Sequence, residues 1–141
     1  MLVRLMYASR ATESVDQDDL IAILKKSKQH NPALGVTGVL CFSAGIFLQV
    51  LEGGRSHVSA LYNRIAQDKR HREVVLLGYE EVSERCFAGW SMGQVNLSRL
   101  NPALLLKYSE TAELDPYSVS GAVSMALFNE LVATASVMGQ S

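Results

Sequence analysis

Residues 35–54, GVTGVLCFSAGIFLQVLEGG, hold two almost uninterrupted apolar runs on either side of Ser43–Ala44–Gly45. Short runs rich in β-branched and aromatic residues, broken by a glycine-containing turn, predict two antiparallel strands joined as a hairpin. A strand that is apolar on both of its faces cannot leave either face in water. The hairpin therefore belongs inside a sheet covered on both sides. One residue violates the pattern. Gln49 sits among Phe47, Leu48, Val50 and Leu51, and a buried amide without partners costs about 1–3 kcal/mol. Its partners become the central question.

The flanking segments supply the rest of the sheet. Leu2 to Ser9 reads as a strand with Val3, Leu5 and Tyr7 on one face and Leu2, Arg4 and Met6 on the other. Ser14 and Gln17 match a capping box for a first helix, with Asp16, Asp18 and Asp19 near its start and Lys25, Lys26 and Lys28 towards its end. Pro32 disfavours helical geometry in the residue before it, which predicts a helix end near Asn31. Leu20, Leu24, Ser27 and Asn31 fall on one helical stripe, apolar at first and polar at its end. A second helix is predicted from Ser56 to Asp68, with Val58, Leu61, Tyr62 and Ile65 inward, followed by the basic run Lys69 to Arg72. Val74 to Val82 and Trp90 to Leu97 read as a fourth and a fifth strand. The order β-α-β-β-α-β-β is an α+β, ferredoxin-like arrangement with one extra strand, a five-stranded mixed sheet with two helices on one face.

The other face needs a cover, and the tail provides it: a short helix from Pro102 to Ser109 and a longer one from Pro116 to Met138, capped by Asp115. This divides the chain into residues 1–98 and a helical extension, 99–141, suited to contact with a partner or a second copy. Between Val119 and Met138 only Glu130 is charged, but the many serines and small residues favour a helix buried against protein over a membrane span. A net charge of -1 gives no electrostatic pull toward nucleic acid or anionic lipid. Cys41 and Cys86 follow no metal-ligand spacing, and reduced thiols are expected. The start of the chain has too short an apolar run for a signal peptide, so a cytoplasmic protein is expected.

If the period of two holds across the sheet, Tyr7, Gln49 and the pair Trp90 and Met92 share the face beneath the first helix, which brings Asn31. Singly, each has a plainer reading: a packing tyrosine, a core tryptophan and methionine, an asparagine at a helix end. Together they place hydrogen-bonding groups where a core should be apolar. A flat ligand with polar edges, lying between the two helices, would satisfy them.

Four segments in this order, RLMYASR, HNPALGVTGVL, FLQVLEG and FAGWSMGQV, resemble the BLUF domains, a family of flavin-binding blue-light sensors. The resemblance runs from Leu2 to Leu97, and the tail is similar to that of short members with two C-terminal helices and no enzymatic output domain. It implies a flavin held without a covalent bond between the two helices, FAD in the first place, with FMN or riboflavin also possible. By the same resemblance Tyr7 corresponds to the electron donor, Gln49 to the amide between it and the ring, and Asn31 to the residue that bonds the ring's carbonyl edge. Trp90 and Met92 correspond to the pair that compete near the glutamine. His30 and Ser27 on the first helix, and Arg64, Asp68 and His71 on or after the second, correspond to further cofactor contacts. After the electron returns, the glutamine settles rotated or as a tautomer and the flavin absorption moves to the red. The resemblance implies a sensor rather than an enzyme, which passes its signal to a protein partner and forms a homo-oligomer.

Other classes are compatible with the fold. A flavin reductase needs a nicotinamide site, and no G-x-G-x-x-G is present. An acylphosphatase-like hydrolase needs a glycine-rich phosphate loop with an arginine near the first strand, which Arg10 and Asn31 do not form. A flavin-free interaction module would satisfy Gln49 by backbone and water. Cys41, on the strand beside Gln49, is a weaker candidate for a nucleophile toward the flavin, since free cysteines are mostly core residues.

Overall fold

The computed structural model describes residues 1–12, 15–95, 101–134 and 137–138. Strands β1 (Leu2–Ala11), β2 (Thr37–Ser43), β3 (Ile46–Gly54), β4 (His71–Val82) and β5 (Gly93–Val95) alternate with helices α1 (Gln17–Leu34) and α2 (Arg55–Gln67) in the expected order. The tail adds α3 (Pro102–Tyr108), α4 (Gly121–Ala133) and a two-residue strand, β6 (Val137–Met138). The sheet order is β4-β1-β3-β2-β5-β6. β5 runs parallel to β2, and the other neighbours are antiparallel, so the sheet is mixed.

The hairpin predicted from residues 35–54 forms with Ser43 opposite Ile46. Ala44 and Gly45 both take positive φ, 51° and 78°, the geometry of a two-residue turn whose twist matches the strands it joins. β3 lies between β1 and β2, and eight of its nine residues are buried. Both its faces are covered. Val3, Leu5, Tyr7, Leu40, Phe47 and Leu51 pack with Leu20, Leu24 and Val58 under α1 and α2. Met6, Ala8, Val39, Cys41, Leu48 and Val50 pack with Leu105, Leu127, Phe128 and Leu131 of α3 and α4. The tail helices thus cover the face opposite α1 and α2, and Lys107 and Tyr108 of α3 bond Glu130 of α4.

Several boundaries differ from the sequence reading. Ser14 lies outside the described residues, and the helix is capped two positions later. Asp16 accepts from the Asp19 amide at 2.9 Å while Asp19 accepts from the Asp16 amide at 3.0 Å. α1 also runs past Asn31 to Leu34, with Pro32 inside its last turn. Proline there forfeits one bond, to the carbonyl of solvent-exposed Lys28. The helix ends at Gly35, whose φ of 67° suits a residue without a Cβ and whose amide closes onto Asn31 and Pro32. α4 starts at Gly121 and not at Pro116, because Asp115 closes a turn instead, accepting from the Tyr117 amide at 3.1 Å, and Ser120 becomes the cap. β4 starts earlier, at His71. β5 starts only at Gly93, and the predicted strand end at Leu97 lies outside the described residues. No helix among the described residues is long and apolar enough to cross a membrane.

Candidate functional site

A cavity of about 440 Å³ opens between α1 and α2 above the face of the sheet that carries Tyr7 and Gln49. Strand pairing builds its floor. Gln49 lies directly opposite Tyr7 on β1 and opposite Leu40 on β2, so register alone brings phenol and amide together. The Tyr7 hydroxyl donates to Gln49 Oε1. On its other side the amide Nε2 donates to the thioether of Met92 at 3.2 Å. Asn31 enters from α1, and its Nδ2 donates to the Ser91 carbonyl at 2.8 Å. Tyr7, Asn31 and Gln49 are 1%, 3% and 5% exposed, so these polar groups lie in the core. Gln49 thus bonds a phenol on one side and a sulfur on the other. Sulfur is a weak acceptor, so the Nε2 of Gln49, which lines the cavity, is held only weakly.

The walls carry the remaining predicted residues. Ser27 and His30 line the cavity from α1, and Arg64 lines it from α2. Asp68, which ends α2, and His71, which opens β4, complete that side. His71 Nδ1 lies 2.7 Å from the hydroxyl of fully buried Ser9, and its ring lies tilted at 45° to Phe47, with centroids 4.6 Å apart, and meets Tyr7 edge-on at 6.3 Å. Arg70 grips Asp68 through Nη2 at 2.7 Å and Nε at 3.0 Å. That hydrogen bond holds the Asp68 carboxyl down at about 2. Burial pushes the Tyr7 phenol well above its ordinary range, and the neighbouring Tyr62 and Asp68 push the same way. Burial also lowers His71, against the upward pull of Asp68. Tyr7 is therefore a neutral hydrogen-bond donor at neutral pH.

Two residues were not legible as site residues. Arg70 was read only as part of a basic run, although an arginine two positions after the helix-ending Asp68 is placed to fold back on it. Lys26 lies one turn before His30 on the same side of α1 and joins the lining.

Trp90 is a correction. It does not share a face with Met92, since it packs with the tail core around Phe87 and Phe128 while Met92 packs with Tyr7 and Leu40. The expectation assumed strand alternation from Trp90 onward, but β5 begins at Gly93 and residues 91–92 form a bend. The Trp90 indole Nε1 is buried with no partner among the described residues. Cys41 is likewise on the tail side of the sheet, away from the cavity, and burial pushes its thiol up to about 12. It is neither placed nor ionised for attack on a ligand beside Gln49.

Residues 2–93 match the family model "Sensors of blue-light using FAD", or BLUF. The photoactivated adenylate cyclase subunit beta of Euglena longa is 37% identical over 92 residues, which cover 64% of this chain and 11% of that protein. The chain thus spans about a tenth of the length of this curated relative. Among solved structures, BlsA in its photo-activated state superposes with a TM-score of 0.84 at 30% identity, covering 100% of this chain and 99% of that one. BlrB in its dark state gives 0.80 at 30% identity, covering 95% and 96%. With the family model spanning most of the chain and whole-chain structural relatives of the same kind, the protein belongs to the BLUF family of flavin-based blue-light sensors.

Proposed function

We propose that the cavity between α1 and α2 holds a flavin and that light changes the hydrogen bonding of Gln49, which is then read by a partner protein. The observation that carries this reading is the buried chain Tyr7–Gln49–Met92, in which an amide links a phenol to a thioether at the cavity floor. The residues suit a three-ring planar ligand with a polar edge. Asn31 and Gln49 offer amide groups at one end, Phe47, Leu40 and Ile65 offer apolar walls, and the volume lies in the range of small-molecule sites. The lining sets Lys26, Arg64 and Arg70 against Asp68 alone, which favours a phosphorylated flavin, FAD or FMN, over riboflavin.

Flavin, when bound and excited, supplies a strong one-electron oxidant. The chain's own residues do the rest. Tyr7 is a phenol, oxidisable by one electron with loss of its proton, in direct contact with Gln49, and its hydroxyl proton already points at Oε1. Gln49 is neutral, resists oxidation, and both donates and accepts. A carboxylate in its place would bring a charge that is costly to bury. A half-turn of the amide would set Nε2 before the Tyr7 oxygen and Oε1 before the Met92 sulfur. Tyr7 would then accept where it had donated, and Gln49 would present a different edge to the cavity. Tautomerisation of the amide exchanges the same donor and acceptor roles without rotation.

The sensor is proposed to signal without turnover of its own, as a homo-oligomer in the cytoplasm. Free thiols at Cys41 and Cys86 suit a reducing compartment, and the tail helices packed behind Gln49's strand offer a route to a partner. The test is optical and biochemical. Purified protein should be yellow, and blue light alone should move its flavin band reversibly to the red. Colourless protein that takes up no flavin, or steady oxidation of a reduced nicotinamide, would overturn the reading.

A further inference from the structure

Glu52 lies three residues beyond Gln49 on β3, with its side chain directed to the opposite side of the sheet. It is fully buried. Both carboxylate oxygens are used. Oε2 accepts from Arg4 Nε at 2.8 Å and from the Cys86 amide at 2.9 Å, and Oε1 accepts from the Phe87 amide at 2.7 Å. Two consecutive backbone amides held by one carboxylate fix the chain there in position and direction. Arg85 adds a bond from Nη1 to Thr37 Oγ1 at 2.9 Å.

Residues 86–92 then form a strap from this anchor to the cavity. The Trp90 amide donates to the Phe87 carbonyl at 3.2 Å, and the Gly38 amide donates to the Trp90 carbonyl at 2.9 Å. The next two residues are those that meet the cavity groups: the Ser91 carbonyl accepts from Asn31, and the Met92 sulfur accepts from Gln49. On the other side of the sheet the Phe87 ring meets Phe128 of α4 edge-on at 6.3 Å. The strap therefore touches the photochemical amide at one end and the tail helix at the other, and Glu52 sets its height.

We propose that Glu52 is a positioning residue for the photoreaction: through the strap it places the Met92 sulfur against Gln49, without touching the cavity itself. This rests on the flavin-sensor reading above. A buried ion pair kept only for stability would be replaceable by apolar groups at little cost. The anchoring of two strap amides gives Glu52 a second task that no apolar residue can perform.

The test is a double-mutant cycle on the full chain with its flavin bound, using Glu52→Gln, Met92→Leu and the pair. Glutamine keeps the volume of glutamate, but its NH2 faces either the Phe87 amide or the Cys86 amide and Arg4, donor against donor. The readout is the rate of return to the dark spectrum after a blue flash. Glu52→Gln should keep the flavin and alter that rate at least about threefold when Met92 is present, and by less than about 1.5-fold when residue 92 is leucine. Equal fold-changes in the two backgrounds, or an unaltered rate, would overturn the inference, because a general loss of stability acts alike in both. If Glu52→Gln does not fold, Arg85→Ala loosens the same strap more gently and is taken through the same cycle with the same criteria. A wild-type protein that shows no light-induced shift would overturn the sensor reading and this inference with it. A normal wild-type shift with equal fold-changes would overturn this inference alone.

Discussion

Tyr7 and Gln49 face each other across the β1–β3 ladder, and the phenol donates its hydrogen to the amide oxygen. Each satisfies the other in a place where both are almost wholly buried. Replacing Gln49 by leucine fills the space but leaves the Tyr7 hydroxyl buried without its acceptor, which costs about 1–3 kcal/mol before any gain from apolar burial. Gln49→Leu should bind flavin and show no red shift, with a urea midpoint no higher than that of the wild type. A shift of normal size would remove Gln49 from the role proposed for it.

Asn31 does two things at once. It reaches the cavity from the last turns of α1 and ties that helix to the Ser91 carbonyl. Asn31→Ala should weaken flavin binding by about tenfold, the loss of one good hydrogen bond, and displace the dark absorption band. Unchanged affinity together with an unchanged spectrum would contradict its placement at the ring.

The basic lining predicts a salt effect. Lys26, Arg64 and Arg70 outnumber Asp68, and the pairing of Asp68 with Arg70 leaves Lys26 and Arg64 as the excess positive charge. FMN should bind more tightly than riboflavin at low ionic strength, and the gap should narrow as salt screens the phosphate. Fluorescence titration at two salt concentrations measures both constants. Equal affinities at low salt would show that the phosphate is not held there.

His71 makes stability depend on pH. Burial lowers its folded pKa below the ordinary value of 6.5, with Asp68 pulling it up and Arg70 pushing it down. A depressed folded value means that the unfolded chain binds the proton more readily. The contribution of His71 is therefore complete above about pH 6.5 and is lost as pH falls through the folded value. The melting temperature should decline from pH 7.5 to 5.5, and less steeply in His71→Asn. Asp68, held down at about 2, acts in a separate window, contributing above about pH 4 and losing its contribution as pH falls towards 2. Identical slopes in wild type and His71→Asn would remove His71 as the cause.

Where the period of two applied, the sequence was readable. Gln49 stood out because its neighbours were apolar, and antiparallel pairing then required Tyr7 or another β1 residue opposite it. The Leu20–Leu24–Ser27–Asn31 stripe was readable for the same reason, at helical spacing. Trp90 was misplaced because periodicity was extended into a bend, where no fixed repeat governs side-chain direction. The helix end at Asn31 was set by a local rule about proline, and Gly35, with its left-handed backbone, overrode it. Arg70 and Glu52 escaped notice because their partners, Asp68 across a turn and the amides of Cys86 and Phe87 on a distant loop, are set by tertiary placement.

The most direct test compares the light-minus-dark absorption spectrum of the wild type with that of Tyr7→Phe. Phenylalanine keeps the ring and its packing on Tyr62 and removes the hydroxyl that donates to Gln49. Both proteins should hold flavin, with a reversible red shift in the wild type and none in Tyr7→Phe. A red shift of wild-type size and lifetime in Tyr7→Phe would contradict this.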